Sequence, residues 1–183
     1  MDLTHTTALA NNLLHYLFIE CTLMLIGVPF TQSHEHYNYR AYLETLLTYG
    51  TDATSSHLST SYWYLDSGDV QPSDPTAEKH SSATNDGFLA RWSRLSGSMD
   101  VQLFGRLHTD PCNVPLFLLP RVPLQIKLTK VRPSFYLMNK SADTKTSFKF
   151  LDAHHLVRRV QPKPKILEAQ EKRWKNGPSR GIT

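Results

Sequence analysis

Cysteine is scarce in this chain: Cys21 and Cys112 are the two thiols among 183 residues. Two thiols cannot build a disulfide framework, and neither belongs to a C-x-x-C pair, so a reducing compartment is the expectation. Long apolar runs are also missing. The nearest, 13–28, carries His15 and Glu20, which are costly in lipid, so no transmembrane helix and no membrane partner are expected. Positive charge is absent from the first 39 residues, the first Lys or Arg being Arg40, whereas a signal peptide needs basic residues ahead of its apolar core. The expected location is therefore intracellular, nucleus or cytoplasm. Glycine numbers 8, without a phosphate-cradling loop, and no G-x-S-x-G is present. Neither cysteine has a base and an orienting group beside it: Cys21 lies in an apolar stretch and Cys112 in the turn sequence Asp-Pro-Cys-Asn. No enzyme and no cofactor are expected.

What is present is enough for a folded domain. Hydrophobic residues make up 40% and aromatics 10%, which argues against wholesale disorder. A chain of this length buries roughly 70% of its unfolded surface. The formal charge of +4 conceals a division. Residues 1–100 hold 4 Lys+Arg against 11 Asp+Glu, and residues 101–183 hold 16 against 5. Such a split suits an anionic partner for the basic half, or complementary surfaces between copies of the chain.

Leu9, Leu13, Leu14, Leu17 and Phe18 recur at helical spacing and predict a short helix. From Ile19 the apolar and β-branched residues predict a strand, a tight turn at Gly27 and a second short strand. A helix follows over Tyr39–Tyr49, with Tyr42, Leu43, Leu46 and Leu47 on the face expected to pack inward, Gly50 as its stop, and an Arg40–Glu44 pair across one turn. Asp52 caps a further short helix running toward Tyr64. Residues 66–86 are poor in apolar side chains and read as a long exposed loop. Phe88 to Leu95 reads as a brief helix or turn. Beyond Met99 the pattern favours strands at Val101–Gly105, Val122–Lys130, Ser134–Met138 and Thr146–Val160; alternation is cleanest where Val122, Leu124, Ile126 and Leu128 point one way. A charged helix over Pro162–Lys175, stopped by Asn176-Gly177-Pro178, ends the pattern. The sum predicts a mainly β fold: an antiparallel core with helices in its long connections, as a domain over 1–161 followed by a charged helix and tail over 162–183.

The nine histidines invite a metal reading, with His34-x-His36 and His154-His155 as candidates. Neighbouring residues of a strand face opposite sides, so His154 and His155 are a poor ligand pair, and no metal is expected. Arg158, Arg159, Lys163 and Lys165 are candidate contacts to nucleic acid, of a non-specific, salt-sensitive kind. That makes a small basic nucleic-acid-binding protein the alternative reading. Arg106, His108 and Asp110 fall together after Gly105 and form a candidate structural clamp, because the planar fork of a guanidinium suits a carboxylate or the carbonyls of a turn.

Several segments resemble one family, the major capsid proteins of Polinton (Maverick) elements and the related adintovirus-like viruses. They are Asn12-x-Leu14-His15-x-Leu17-Phe18, Tyr39 to Leu47 continuing to Gly50-x-Asp52-Ala53, Ser61-x-Trp63-Tyr64, Val101 to Asp110 with its Gly105-Arg106-Leu107-His108, Val122 to Leu128, Ser134-Phe135-x-Leu137-Met138, and Asp152-Ala153 leading to Val157-Arg158-x-Val160. The resemblance implies a double jelly-roll capsid protein, expected as an incomplete jelly roll in this chain, whose self-association builds trimers in a virion around double-stranded DNA. Where the family tends to have Asn-Gly turns, this chain has Leu25-Ile26-Gly27 and Leu119-Pro120-Arg121. The expected function is structural: a capsid-type protein, or a truncated remnant of one, that works by self-association.

Overall fold

The computed structural model describes residues 7–31, 35–67, 85–94, 100–115, 117–118, 122–139, 148–158 and 160–176. The His34, Arg159 and Leu119-Pro120-Arg121 readings, and most of the 66–86 loop, lie outside these. The chain divides into two compact units, Met1–Lys149 and Phe150–Thr183.

In the first unit the order is β1 (Thr7–Leu9), α1 (Leu13–Tyr16), β2 (Phe18–Leu25), β3 (Val28–Pro29), α2 (Tyr37–Thr48), α3 (Thr51–Thr54), a 3-10 turn (His57–Ser61), α4 (Asp86–Ser93), α5 (Asp110–Asn113), β4 (Leu124–Lys130), α6 (Pro133–Tyr136) and β5 (Leu137–Asn139). Two antiparallel sheets result: the pair β1–β5, and a three-stranded sheet in the order β3-β2-β4. β2 and β4 run in register from Leu25↔Leu124 to Glu20↔Thr129, and a one-residue irregularity then brings Phe18 opposite Lys130. The alternation read from the sequence thus becomes the long central ladder. Leu9, Ala10, Leu13, Leu17, Tyr62, Val131 and Tyr136 form the core where β1, α1 and the start of β2 meet.

The β2–β3 turn is made by Ile26 at φ 53° and Gly27 at φ 77°. Left-handed backbone at both central positions is what a two-residue hairpin of this hand requires. Glycine meets it freely, whereas a β-branched isoleucine is strained there.

α4 is held against the stretch Tyr64–Ser67. The Asn85 side chain caps it, accepting from the Phe88 amide at 3.0 Å and from the Ser67 amide at 3.3 Å. Gly87 lies so close that a Cβ there would stand 2.3 Å from the Leu65 carbonyl oxygen. One turn further, Arg91 is fully buried. Its guanidinium donates to the Leu9 carbonyl at 2.8 Å, the Tyr64 carbonyl at 2.6 Å and the Asp66 carboxylate at 2.6 Å. A single cation therefore ties β1, α4 and the segment after the 3-10 turn together.

The second unit contains an irregular, solvent-exposed stretch over 150–158 and the helix α7 (Pro164–Asn176). Pro164 opens the helix, where a missing N–H costs nothing, and Arg173 and Lys175 sit in the last turn, where cations suit the helix dipole.

The mainly β, jelly-roll-like fold is overturned. Helical residues outnumber strand residues roughly two to one among the described residues, and the largest sheet has three strands. The alternating segments explain the error. Residues 101–108 and 148–158 belong to no ladder and no helix among the described residues. Val101, Leu103 and Phe148 instead rest their side chains on the core. Alternation reports a side chain's two-sided environment, and a segment such as 101–108 that rests on a core satisfies it without joining a sheet, whereas 150–158 is exposed throughout. At 134–138 the strand is half lost, because Pro133 starts a helical turn that lasts to Tyr136 before β5 begins.

Candidate functional site

α2 and the segment 106–113 form the polar junction of the first unit. On the inner side of α2 lie Tyr37, Asn38, Ala41 and Thr45, all buried. Ala41 permits close packing, and the Thr45 hydroxyl donates to its carbonyl at 2.7 Å. The Tyr37 hydroxyl shares a hydrogen bond of 3.0 Å with Nδ1 of His15 from α1. The His15 ring meets that of His108 edge to face, with centroids 4.6 Å apart. Burial, and then the neighbouring His108, push the His15 pKa down to about 3, so its imidazole is neutral. Burial also lowers the pKa of His108, although Glu44 pulls the other way. His108 Nδ1 stands 3.2 Å from a Glu44 carboxylate oxygen, in a geometry that brings charge close without an aligned hydrogen bond.

Around this buried pair the segment is fastened to the rim of α2. Arg40 binds both carboxylate oxygens of Asp110 and also faces Glu44, whose Oε2 lies 3.7 Å from its Nε. The Arg40 guanidinium holds the Asp110 carboxyl below its usual pKa range. Asn113 donates to the other Glu44 oxygen at 2.9 Å. Arg106, by contrast, is exposed and donates to the Cys112 carbonyl at 3.0 Å. The three clamp candidates thus occupy one short segment, but the guanidinium that bridges to the helix belongs to Arg40. Arg106 closes its own turn, His108 packs in the interior and Asp110 receives Arg40.

An open cleft of about 630 Å³ lies beside this junction, lined in part by Cys21, Tyr37, Arg40, Thr109 and Asp110. Burial pushes the Cys21 thiol up to about 12, so it offers no thiolate. His15 hydrogen-bonds the Tyr37 hydroxyl and packs edge to face on His108, which stands beside the Glu44 carboxylate. Among these residues no group of three or more His, Cys, Asp or Glu side chains is arranged to hold a metal. The Arg40 and Asn113 contacts fasten the segment 106–113 to α2.

Of the metal candidates, His36 is exposed at the start of α2, and His154 pairs with Asp152 at 2.9 Å, both well exposed. Of the candidate nucleic-acid contacts, Arg158 is exposed at the end of the irregular stretch, Lys163 is exposed just before α7, and Lys165 is exposed in its first turn. Among the described residues no helix is long and apolar enough to cross a membrane.

The outer side of α2 contradicts the expected packing. Leu43 is 53% exposed, Leu46 45% and Leu47 82%, and Tyr39 is exposed beside them. Of the face expected to turn inward, Tyr42 alone does so, resting on Trp63 with ring centroids 5.0 Å apart. The helix is turned about its axis so that its small and polar residues face the core. Sequence reasoning missed His15 and Arg91 as structural centres. The signal in each case was an ionisable residue set among apolar neighbours, where burial demands specific partners. Comparison with known proteins finds no matching family model, no matching curated protein and no matching solved structure.

Proposed function

We propose that the protein is a structural subunit that works by associating with itself, without catalysis, and that the outer face of α2 is a contact surface. The observation that carries this reading is the inverted helix: Leu47 stands in solvent and Leu43 and Leu46 are about half exposed, while Asn38, Ala41 and Thr45 are buried. Full burial of a leucine side chain is worth about 1.5–3 kcal/mol. A stripe of three, joined by Tyr39, is a substantial driving force left unused in the single chain. The anchoring of α2 by Arg40, Glu44 and Asp110 supports the reading further, because it presents the stripe on a rigid element. The resemblance to Polinton capsid proteins fits a self-associating role, although this reading does not depend on it and needs no jelly roll.

Light scattering coupled to size-exclusion chromatography tests the proposal. The wild-type chain is expected to run as an oligomer, and Leu43→Asp combined with Leu47→Asp to shift it toward smaller species while far-ultraviolet circular dichroism stays unchanged. A wild-type chain that stays monomeric at the highest attainable concentration would refute self-association.

A further inference from the structure

The three-stranded sheet ends on β4, whose outer edge has no strand partner among the described residues. The ladder identifies which of its backbone groups are left over. Ile26 donates to the Pro123 carbonyl at 3.2 Å across the β2–β4 boundary. In an antiparallel pair the hydrogen-bonded positions alternate, so Gln125, Lys127 and Thr129 spend their N–H and C=O groups on Met24, Thr22 and Glu20. Leu124, Ile126 and Leu128 therefore point theirs outward. Their side chains line the sheet face that also carries Cys21 and Leu23, and Leu128 is still 40% exposed.

We infer that the edge of β4 opposite β2 is a second self-association surface, occupied by β4 of another copy in antiparallel pairing about a two-fold axis at Ile126. This deepens the self-association reading and rests on it. The register follows from two constraints. A two-fold at Ile126 places Leu124 opposite Leu128 of the other copy and Ile126 opposite its counterpart, so all three outward residues pair and their apolar row continues across the boundary. The same register sets Gln125 opposite Lys127, whereas a shift by one residue to a two-fold at Lys127 would put two lysines face to face. The product is a six-stranded sheet closed by an isologous contact. With the α2 stripe as a different contact on the same chain, one surface closes a dimer and the second links dimers, as an extended assembly requires.

The test uses the full chain carrying Leu43→Asp and Leu47→Asp, so that the α2 contact is removed. Sedimentation equilibrium is expected to find a residual dimer. Gln125→Glu should tighten it and Gln125→Lys should weaken it, each by about two- to thirty-fold, since each exchange alters two cross-strand pairs per dimer. Position 125 is exposed, so both variants keep the monomer fold. In hydrogen exchange, the amides of Leu124, Ile126 and Leu128 should gain protection with concentration, while those of Gln125, Lys127 and Thr129 stay protected throughout. A monomeric α2 variant beside an associating wild type would overturn the β4 pairing and leave the α2 contact standing. A dimer indifferent to both Gln125 exchanges would overturn the register. If the wild type and the α2 variant associate equally and both respond to the exchanges, the β4 pairing holds and the α2 contact fails. A wild-type monomer removes both.

Discussion

Arg91 makes the strongest prediction available at a single residue. It is completely buried and its three hydrogen bonds reach Leu9, Tyr64 and Asp66. Arg91→Met would strand two carbonyls and a carboxylate, and should cost about 3–5 kcal/mol of unfolding free energy in urea titration. Arg91→Lys should recover part of that, because one ammonium cannot reach three divergent acceptors at once. Equal stabilities for all three proteins would mean that the hub is idle. Ile26 predicts the opposite sign. It is 70% exposed at φ 53°, so Ile26→Asn relieves left-handed strain without emptying the core, and should raise stability by about 1 kcal/mol. A lowered thermal midpoint would contradict it. His15 sets a pH dependence. Its folded pKa of about 3 lies below the ordinary 6.5, so the unfolded chain takes up the proton first and stability falls as pH drops below about 6.5. Between pH 7 and pH 5 this one group should remove about 2 kcal/mol. Denaturant titrations at the two pH values check it, and His15→Gln should flatten the difference.

At the scale of elements, the strand-turn-strand over β2 and β3, the two helices α2 and α7 and the strand β4 were legible in the sequence, because each has a clear period and punctuation. Orientation was less legible. Periodicity places Leu43, Leu46 and Leu47 on one face of α2 but does not say which face turns inward. That choice is made by Ala41, whose lack of bulk admits close packing, and by Tyr37 and Thr45, whose polar atoms find buried partners in His15 and the Ala41 carbonyl. Pairing was illegible for a different reason. An alternating segment becomes a strand through a partner distant in sequence, and 101–108 found a core to lie on instead of a ladder. In the clamp, the segment 106–110 stood out through its chemistry, yet the partner cation is Arg40, 70 residues from Asp110. The inverted helix yields a direct test: Leu46→Ala should cost less than about 1 kcal/mol in the monomer, where a buried leucine would cost 2–5. A loss in the larger range would place Leu46 in the interior.

For the whole molecule, the proposed self-association would give the charge division and the exposed apolar residues one common role. The stripe on α2 and the edge of β4 lie on elements held firmly by buried polar contacts and a long ladder, so both are presented as fixed shapes. The most direct measurement of this account is hydroxyl-radical footprinting of α2 across a concentration series. Association through the stripe predicts that Tyr39, Leu43 and Leu47 become protected as concentration rises, while exposed residues of α7 such as Ile166 keep their reactivity. Identical reactivity of the stripe at every concentration, in a sample that light scattering finds to be oligomeric, would contradict it.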